Sequence, residues 1–340
     1  MACAGSENKS QLTWPQQLSV VSLEELFIPR RSFLKAAALG LAVVPRSIPA
    51  LASMLNSQVP IERGQFGQND VGWVRDELLK LINTERSAAG LNELQLDELA
   101  SRVANEHAAD MVRGEFLSHW GSDGLKPYQR YSFAGGIDAV QENVSAADNI
   151  ASVSAMRVFS DLQDMHTRMH DEIPPNDGHR LTILTPQTTH VGLGVALKGH
   201  SLRLAEMYLS RYLELDPFPQ QSQRKGTVTL SGRLLNSGWF LHEVDVFYEP
   251  LAAMPDSAWL RTPRPYSLPA EYVWLRPKAP TGTTYADGTT GNYEWSKQGK
   301  FRVPVKLSKD APGIYTVLFW IRRVPAEKGF PAAQVCIRCE

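Results

Sequence analysis

Helical periodicity in this chain stops at Asp216-Pro217-Phe218-Pro219-Gln220-Gln221-Ser222-Gln223 and does not return. Two different architectures must therefore follow one another. The length of 340 residues agrees, because single cores stop growing near ~250–300 residues. Ahead of the break, Val74, Leu78, Leu81 and Ile82 fall on one helix face and predict a helix from Val71 to Ala89, capped by Asp70 and stopped at Gly90. Asp97 is placed to cap a second helix from Glu98 to Gly114, with Leu99, Val103, Ala104, Ala108 and Met111 inward. A third is expected from Asn149 to Met169, and strands at His190–Lys198 and Leu202–Leu213. Helices followed by strands predict an α+β or three-layer domain over residues 71–215. Behind a linker at 216–225, the runs Thr227–Leu235, Gly238–Tyr248, Glu271–Leu275, Phe301–Leu307, Ile314–Val324 and Ala333–Arg338 predict an all-β, Ig-like sandwich over 226–340.

The first 70 residues read differently. Pro29-Arg30-Arg31-Ser32-Phe33-Leu34-Lys35 resembles a twin-arginine export signal, and an apolar run from Ala36 to Val44 follows it. That run falls well short of the ~20 residues a membrane-spanning helix needs and suits a signal core. Ala50-Leu51-Ala52 then has the small-residue pattern of a cleavage site. Residues 1–52 are thus expected to be a signal peptide and 53–70 a linker. The mature chain is expected outside the cytoplasm, periplasmic or extracellular, with no transmembrane helix.

Charge excludes one class of partner. With 35 basic and 36 acidic side chains the net charge is −1, which gives nucleic acid no basic footprint. Three cysteines exclude a disulfide-stapled scaffold. In Cys336-Ile337-Arg338-Cys339, residues i and i+3 of a strand face opposite ways, so a disulfide would require a bend.

Within the helical region, separated pieces agree with one family. They are Leu81-Ile82-Asn83-Thr84-Glu85-Arg86, Ala104-Asn105-Glu106-His107, Leu117-Ser118-His119, Pro127-Tyr128-Gln129-Arg130, Gln141-Glu142-Asn143, Asp177-Gly178-His179-Arg180 and Val191-Gly192-Leu193-Gly194. In this order and spacing the stretch resembles the CAP superfamily of cysteine-rich secretory proteins, antigen 5 and pathogenesis-related 1, in its bacterial branch. The resemblance covers about residues 72–215. It implies an α-β-α sandwich with a cleft lined by two histidines and two acidic residues. His119, Glu142 and His179 match the first histidine, the first glutamate and the second histidine. Glu172 is the best match for the fourth position, with Asp171 its near competitor, and Asn143 joins the cleft beside Glu142.

The chemistry of such a set can be stated without the family. Two neutral imidazoles and one or two carboxylates suit zinc or another divalent ion, and on this reading His119, His179, Glu142 and Glu172 are the metal ligands. The same groups without metal could hold a water network or share a proton, with Glu142 and Glu172 as candidate bases, or hydrogen-bond one another to stabilise the cleft floor. His166 and His170 share a helix face as in zinc proteases, yet Thr167 stands where the catalytic glutamate would be, so a solvated or cleft-rim pair is expected. His107 is expected to be a satisfied, partly buried histidine. Gly-x-Ser-x-Gly is absent and this region has no cysteine, leaving nucleophilic catalysis without support. Gly192-x-Gly194 is expected to let a strand approach closely.

Residues 226–340 are rich in aromatics, among them Trp239, Phe247, Tyr272, Trp274, Tyr293, Trp295, Phe301, Phe319 and Trp320. Most are expected inside the sandwich, with Ala279–Gly299 as the candidate loop for sugar rings of an envelope polymer. Three functions follow as expectations. The first is an exported protein binding a lipid-like or peptidic ligand, and a divalent metal, in the histidine/glutamate cleft, with the β-sandwich as an accessory module. The second is a metal-dependent hydrolase acting on envelope peptide or lipid. The third is an adhesive envelope protein with an inert cleft.

Overall fold

The computed structural model describes residues 65–340 apart from 252, 263, 326 and 327. The expected signal peptide at 1–52 and most of the expected linker lie outside the described residues. Gln65 bridges Ser154 in antiparallel fashion, and the first helix, α1 (Gln68–Ala88), starts three residues before the expected position. Asp70 is therefore not the cap but the third helical residue, and its carboxylate accepts the Gly67 amide at 2.9 Å. A charge in the first turn still satisfies an orphan donor and suits the positive end of the helix.

In the first unit, β1 (Gln95–Leu96), β2 (Ala139–Ala147), β3 (His190–Lys198) and β4 (Ser201–Ser210) form a four-stranded sheet in the order β1-β3-β4-β2. On one face lie α1 and α4 (Ala155–His170). Their Val74, Leu78, Ile82, Val158, Leu162 and Met165 pack on Leu193, Leu204 and Tyr208. On the other face lie α2 (Glu98–Gly114) and α3 (Pro127–Phe133), packed on Val140, Val144, Ala205 and Met207. Asp97 caps α2 through a 2.7 Å bond from the Ala100 amide. The three layers are those expected.

Close approach explains the glycine pair. A Cβ on Gly192 would fall 2.4 Å from the Ala100 carbonyl carbon, and one on Gly194 would fall 2.1 Å from that of Ala104. Strand β3 thus lies directly on the backbone of α2, where only Ala and Gly leave room. The third long helix differs from expectation at its start. It begins at Ala155 rather than Asn149, because Asn149 takes a positive φ of 60° and Ile150 is drawn off into the α1/α4 core. Four elements give no periodic signal. Helices α3, α5 (Gly178–Ile183) and α6 (Ser257–Leu260) are at most two turns long, and β2 carries Gln141-Glu142-Asn143 where an apolar run would mark a strand.

The second unit is a β-sandwich. Its strands are β5 (Leu213–Leu215), β6 (Gln221–Ser222), β7 (Thr227–Leu234), β8 (Phe240–Pro250), β9 (Tyr272–Leu275), β10 (Glu294–Trp295), β11 (Lys300–Lys306), β12 (Gly313–Arg322) and β13 (Phe330–Cys339). One sheet runs β10-β11-β7-β5 and the other β6-β13-β12-β8-β9. Leu230, Leu241, Val244, Val303, Val317 and Phe319 fill the space between the sheets. Strand pairing carries this unit back to Leu213, since β5 joins β7 and β6 runs parallel to the end of β13. The expected tail of the first domain and the expected linker thus hold two strands of the second.

Strand β13 separates the two cysteines as its alternation requires. Cys336 faces the core of the first unit and Cys339 the core of the sandwich, both as buried free thiols. Most expected core aromatics are buried or half-buried, but Tyr272 and Trp274 on edge strand β9 are exposed. In the expected sugar loop, Tyr293 is fully buried and donates its hydroxyl to the Leu241 carbonyl at 3.2 Å. Tyr285 bonds the Pro277 carbonyl instead.

Candidate functional site

Each expected cleft histidine is held by a carboxylate at the same ring atom. His119 follows α2 in a turn fastened by Arg130 of α3, whose guanidinium donates to the His119 carbonyl at 2.7 Å and the Leu125 carbonyl at 2.8 Å. Arg130 also donates to Glu142 Oε2 at 2.7 Å, while Glu142 Oε1 stands 3.0 Å from His119 Nδ1. In the second pair, Glu172 Oε1 lies 2.5 Å from His179 Nδ1, and its Oε2 accepts the His179 amide at 2.9 Å. Asn143 donates to the His179 carbonyl at 3.2 Å. Asp171 turns the other way and pairs with His170 at 2.8 Å. Glu172 is therefore the acidic residue that reaches the second histidine.

Burial lowers the pKa of His119; Glu142 opposes that effect, and charge on His179 adds to it. His119 is thereby kept neutral. A neutral ring whose Nδ1–H serves a carboxylate presents a lone pair at Nε2. Burial pushes the Glu142 carboxyl up, but Arg130, His107 and His119 outweigh it and leave it at about 2. Glu142 is an anchored anion at any physiological pH.

What remains unpaired defines the site. Among the described residues, His119 Nε2, His179 Nε2, Asn143 Oδ1 and His107 Nδ1 are buried with no hydrogen-bond partner. Arg130 Nε, beside Glu142, is a fifth such atom, and each costs ~1–3 kcal/mol if nothing meets it. For a metal ion the fit is partial and specific. The two Nε2 atoms are good donors with carboxylates behind them, the arrangement that orients a ligating histidine. Glu142 and Glu172 stand at the Nδ1 side rather than beside Nε2, because Arg130 draws one and the His179 amide holds the other. Among the described residues no three His, Cys, Asp or Glu side chains converge on one point. An ion here would rest on two protein nitrogens and complete its sphere from outside the expected set.

The second unit reaches the first histidine–glutamate pair. Tyr266, in the β8–β9 connection, accepts the Glu142 amide at its hydroxyl (3.1 Å) and lies tilted against the His119 ring at 4.8 Å between centroids. Trp259 of the same connection meets Trp120 edge-on at 5.2 Å. Glu249 of β8 then binds three side chains around α3: Lys126, Tyr128 at 2.8 Å and Gln129 at 3.2 Å. Arg130 is visible in sequence only as a member of a family segment. Tyr266 has no signal at all, being 124 residues from Glu142 in a stretch without periodicity.

Two other histidines depart from expectation. His166 is not solvated or at the rim but wholly buried, between Glu206 Oε1 and Glu85 Oε2, each at 2.7 Å. Burial alone would lower its pKa; the two glutamates outweigh it and raise the value to about 10. It is a structural imidazolium. His107 is also buried. Its Nε2 donates to the Ser118 carbonyl at 2.8 Å, but its Nδ1 is one of the unmet atoms. Burial, with Arg130 adding to it, brings its pKa down to about 4. Arg86, at the end of α1, is wholly buried and donates to the carbonyls of Asn92, Ile183, Thr185 and Thr188, which fixes α5 and with it His179.

The family model described as CAP, the cysteine-rich secretory protein family, matches residues 79–209. The uncharacterized protein YkwD of Bacillus subtilis (strain 168) is 27% identical over 124 residues, covering 36% of this chain and 42% of that protein. The chain thus spans less than half the length of that relative. Among solved structures, an outer surface protein from Borrelia burgdorferi is similar with a TM-score of 0.33 and 16% identity, over 44% of this chain and 99% of that one. An extracellular protein containing a SCP domain from Bacillus anthracis str. Ames gives a TM-score of 0.34 and 21% identity, over 44% and 45% of the two chains. Among the described residues, no helix is long and apolar enough to cross a membrane. The family match falls on the segment that holds His119, Glu142 and His179, and residues 79–209 are a CAP domain of the bacterial branch of the cysteine-rich secretory protein family.

Proposed function

We propose that this chain is an exported CAP-domain protein that binds a ligand in the cleft of His119, Glu142, Asn143, Glu172 and His179, with the β-sandwich as an accessory module that completes the wall through Tyr266. One observation carries the reading: two buried imidazoles, each braced at Nδ1 by a carboxylate, leave their Nε2 atoms without partners among the described residues. A small lipid-like or peptidic ligand, or a segment of envelope polymer, would enter with polar atoms for those nitrogens. A divalent ion such as zinc is the other occupant that suits them, and when bound it would supply Lewis acidity. The twin-arginine-like Arg30-Arg31 segment supports a periplasmic or extracellular site of action.

Binding is favoured over the metal-dependent hydrolysis in which both histidines hold the ion and a carboxylate must serve as the base. A water-activating base must take up a proton near neutral pH. Glu142, clamped by Arg130 with its pKa at about 2, is far too weak a base. Glu172 is committed through both oxygens to His179.

Calorimetric titration of zinc into metal-free protein tests the cleft as an ion site. The expected result is one binding event that His119→Ala and His179→Ala each abolish. Equal binding heat from all three proteins removes the cleft from consideration.

A further inference from the structure

The contact between the two units leaves a half-open pocket that none of His119, Glu142, Asn143, Glu172 and His179 lines. It has a volume of about 420 Å³ and lies between α5 with its following turn, strands β2 and β4, and the start of β13. From the first unit Leu181, Leu184, Pro186 and Tyr208 line it, and from the second Trp320 and Phe330. Interiors and domain contacts normally close to near-crystalline density. This one does not close. Leu181 keeps 41% of its surface exposed, and Leu184, Trp320 and Phe330 stay only half-buried, with their apolar faces turned to the void.

The volume falls within the ~300–1,000 Å³ of small-molecule sites, which favour domain junctions and combine apolar walls with a few polar groups. The polar groups here are sparse. Gln141 and Thr185 contribute an amide and a hydroxyl that bond each other at 3.3 Å, Gln187 adds a second amide and Ser210 a second hydroxyl. Among the described lining residues Lys328 alone is charged, and its exposed ammonium stands where an anion could meet it.

We infer that this junction is a binding site for a small amphipathic anion, an aromatic or aliphatic body carrying one carboxylate. The half-buried Trp320 and Phe330 rings would hold the body and Lys328 would meet the acid group. The site is independent of the histidine cleft, so neither reading falls with the other.

The test uses the full chain and calorimetry with two matched probes, 2-naphthoate and its uncharged counterpart 2-naphthylmethanol. One-to-one binding of both is expected, tighter for the carboxylate. Lys328→Glu should weaken 2-naphthoate by about twofold to fivefold, the scale of one exposed charge contact, and leave 2-naphthylmethanol unchanged. Leu184→Trp, which fills the void, should abolish both, while His119→Ala should alter neither. Absence of binding to the unmodified chain overturns the inference. So does equal loss of both probes in Lys328→Glu, or binding that survives Leu184→Trp and vanishes in His119→Ala.

Discussion

Replacing His166 by Ala tests the buried ion network in the core of the CAP domain. In the native protein the imidazolium lies between Glu206, which has no exposed surface, and Glu85. Without it, Glu206 keeps only the Tyr208 hydroxyl at 2.8 Å as a neutral donor. Removing one partner of a buried pair costs ~3–5 kcal/mol because the other charge stays behind, dehydrated. The pH dependence follows from the same contact. The folded pKa of about 10 lies above the unfolded value near ~6.5, so the folded state binds the proton more tightly. The contribution is fully present below about pH 6.5 and fades as pH rises towards the folded value. Linkage gives a decline on the order of 3 kcal/mol between about pH 6.5 and 9. Urea unfolding followed by far-ultraviolet circular dichroism reads both effects. His166→Ala should be less stable by ~3–5 kcal/mol at neutral pH and should lack the alkaline decline. A loss below ~1 kcal/mol, or the same alkaline slope in both proteins, would refute the argument.

Two further outcomes are expected. Gly194→Ala places a methyl group 2.1 Å from the Ala104 carbonyl carbon; neither backbone can yield cheaply, and a loss of ~1–3 kcal/mol or more should appear in thermal unfolding. Tyr266→Phe removes the acceptor of the Glu142 amide at ~0.5–1.5 kcal/mol while keeping the ring on His119, so acylation of His119 by diethyl pyrocarbonate should stay slow. Tyr266→Ala uncovers the ring and should speed that acylation; equal rates in the two variants would mean Tyr266 does not cover the cleft.

Sequence periodicity is a reliable guide where an element buries one continuous face. Val74, Leu78 and Ile82 locate α1, alternation locates β7 and β11, and a continuous apolar run locates β12, which is buried on both faces. It fails for α5, six residues long, whose place depends on Arg86 reaching its carbonyls from 97 residues away in sequence. The cleft histidines and carboxylates are legible as residue types in family segments. Their division of labour is not, since whether a carboxylate meets a metal or the back of an imidazole depends on Arg130, which is drawn in by tertiary structure alone. His166 illustrates the converse. Its spacing from His170 suggests a surface pair, and only the burial of Glu206 on β4 makes it an interior cation.

The short strands β5 and β6 have a practical corollary. They belong by pairing to the sandwich yet precede the Pro- and Gln-rich break or lie inside it. A protease that nicked the chain near Gln223 would not release two finished modules. One fragment would leave with raw sheet margins along β7 and β13, and the other would trail two ribbons with nothing to zip onto. The CAP unit would also lose the tyrosine shielding its histidine. Such a cut should therefore yield sticky, self-associating pieces rather than a pair of well-behaved halves.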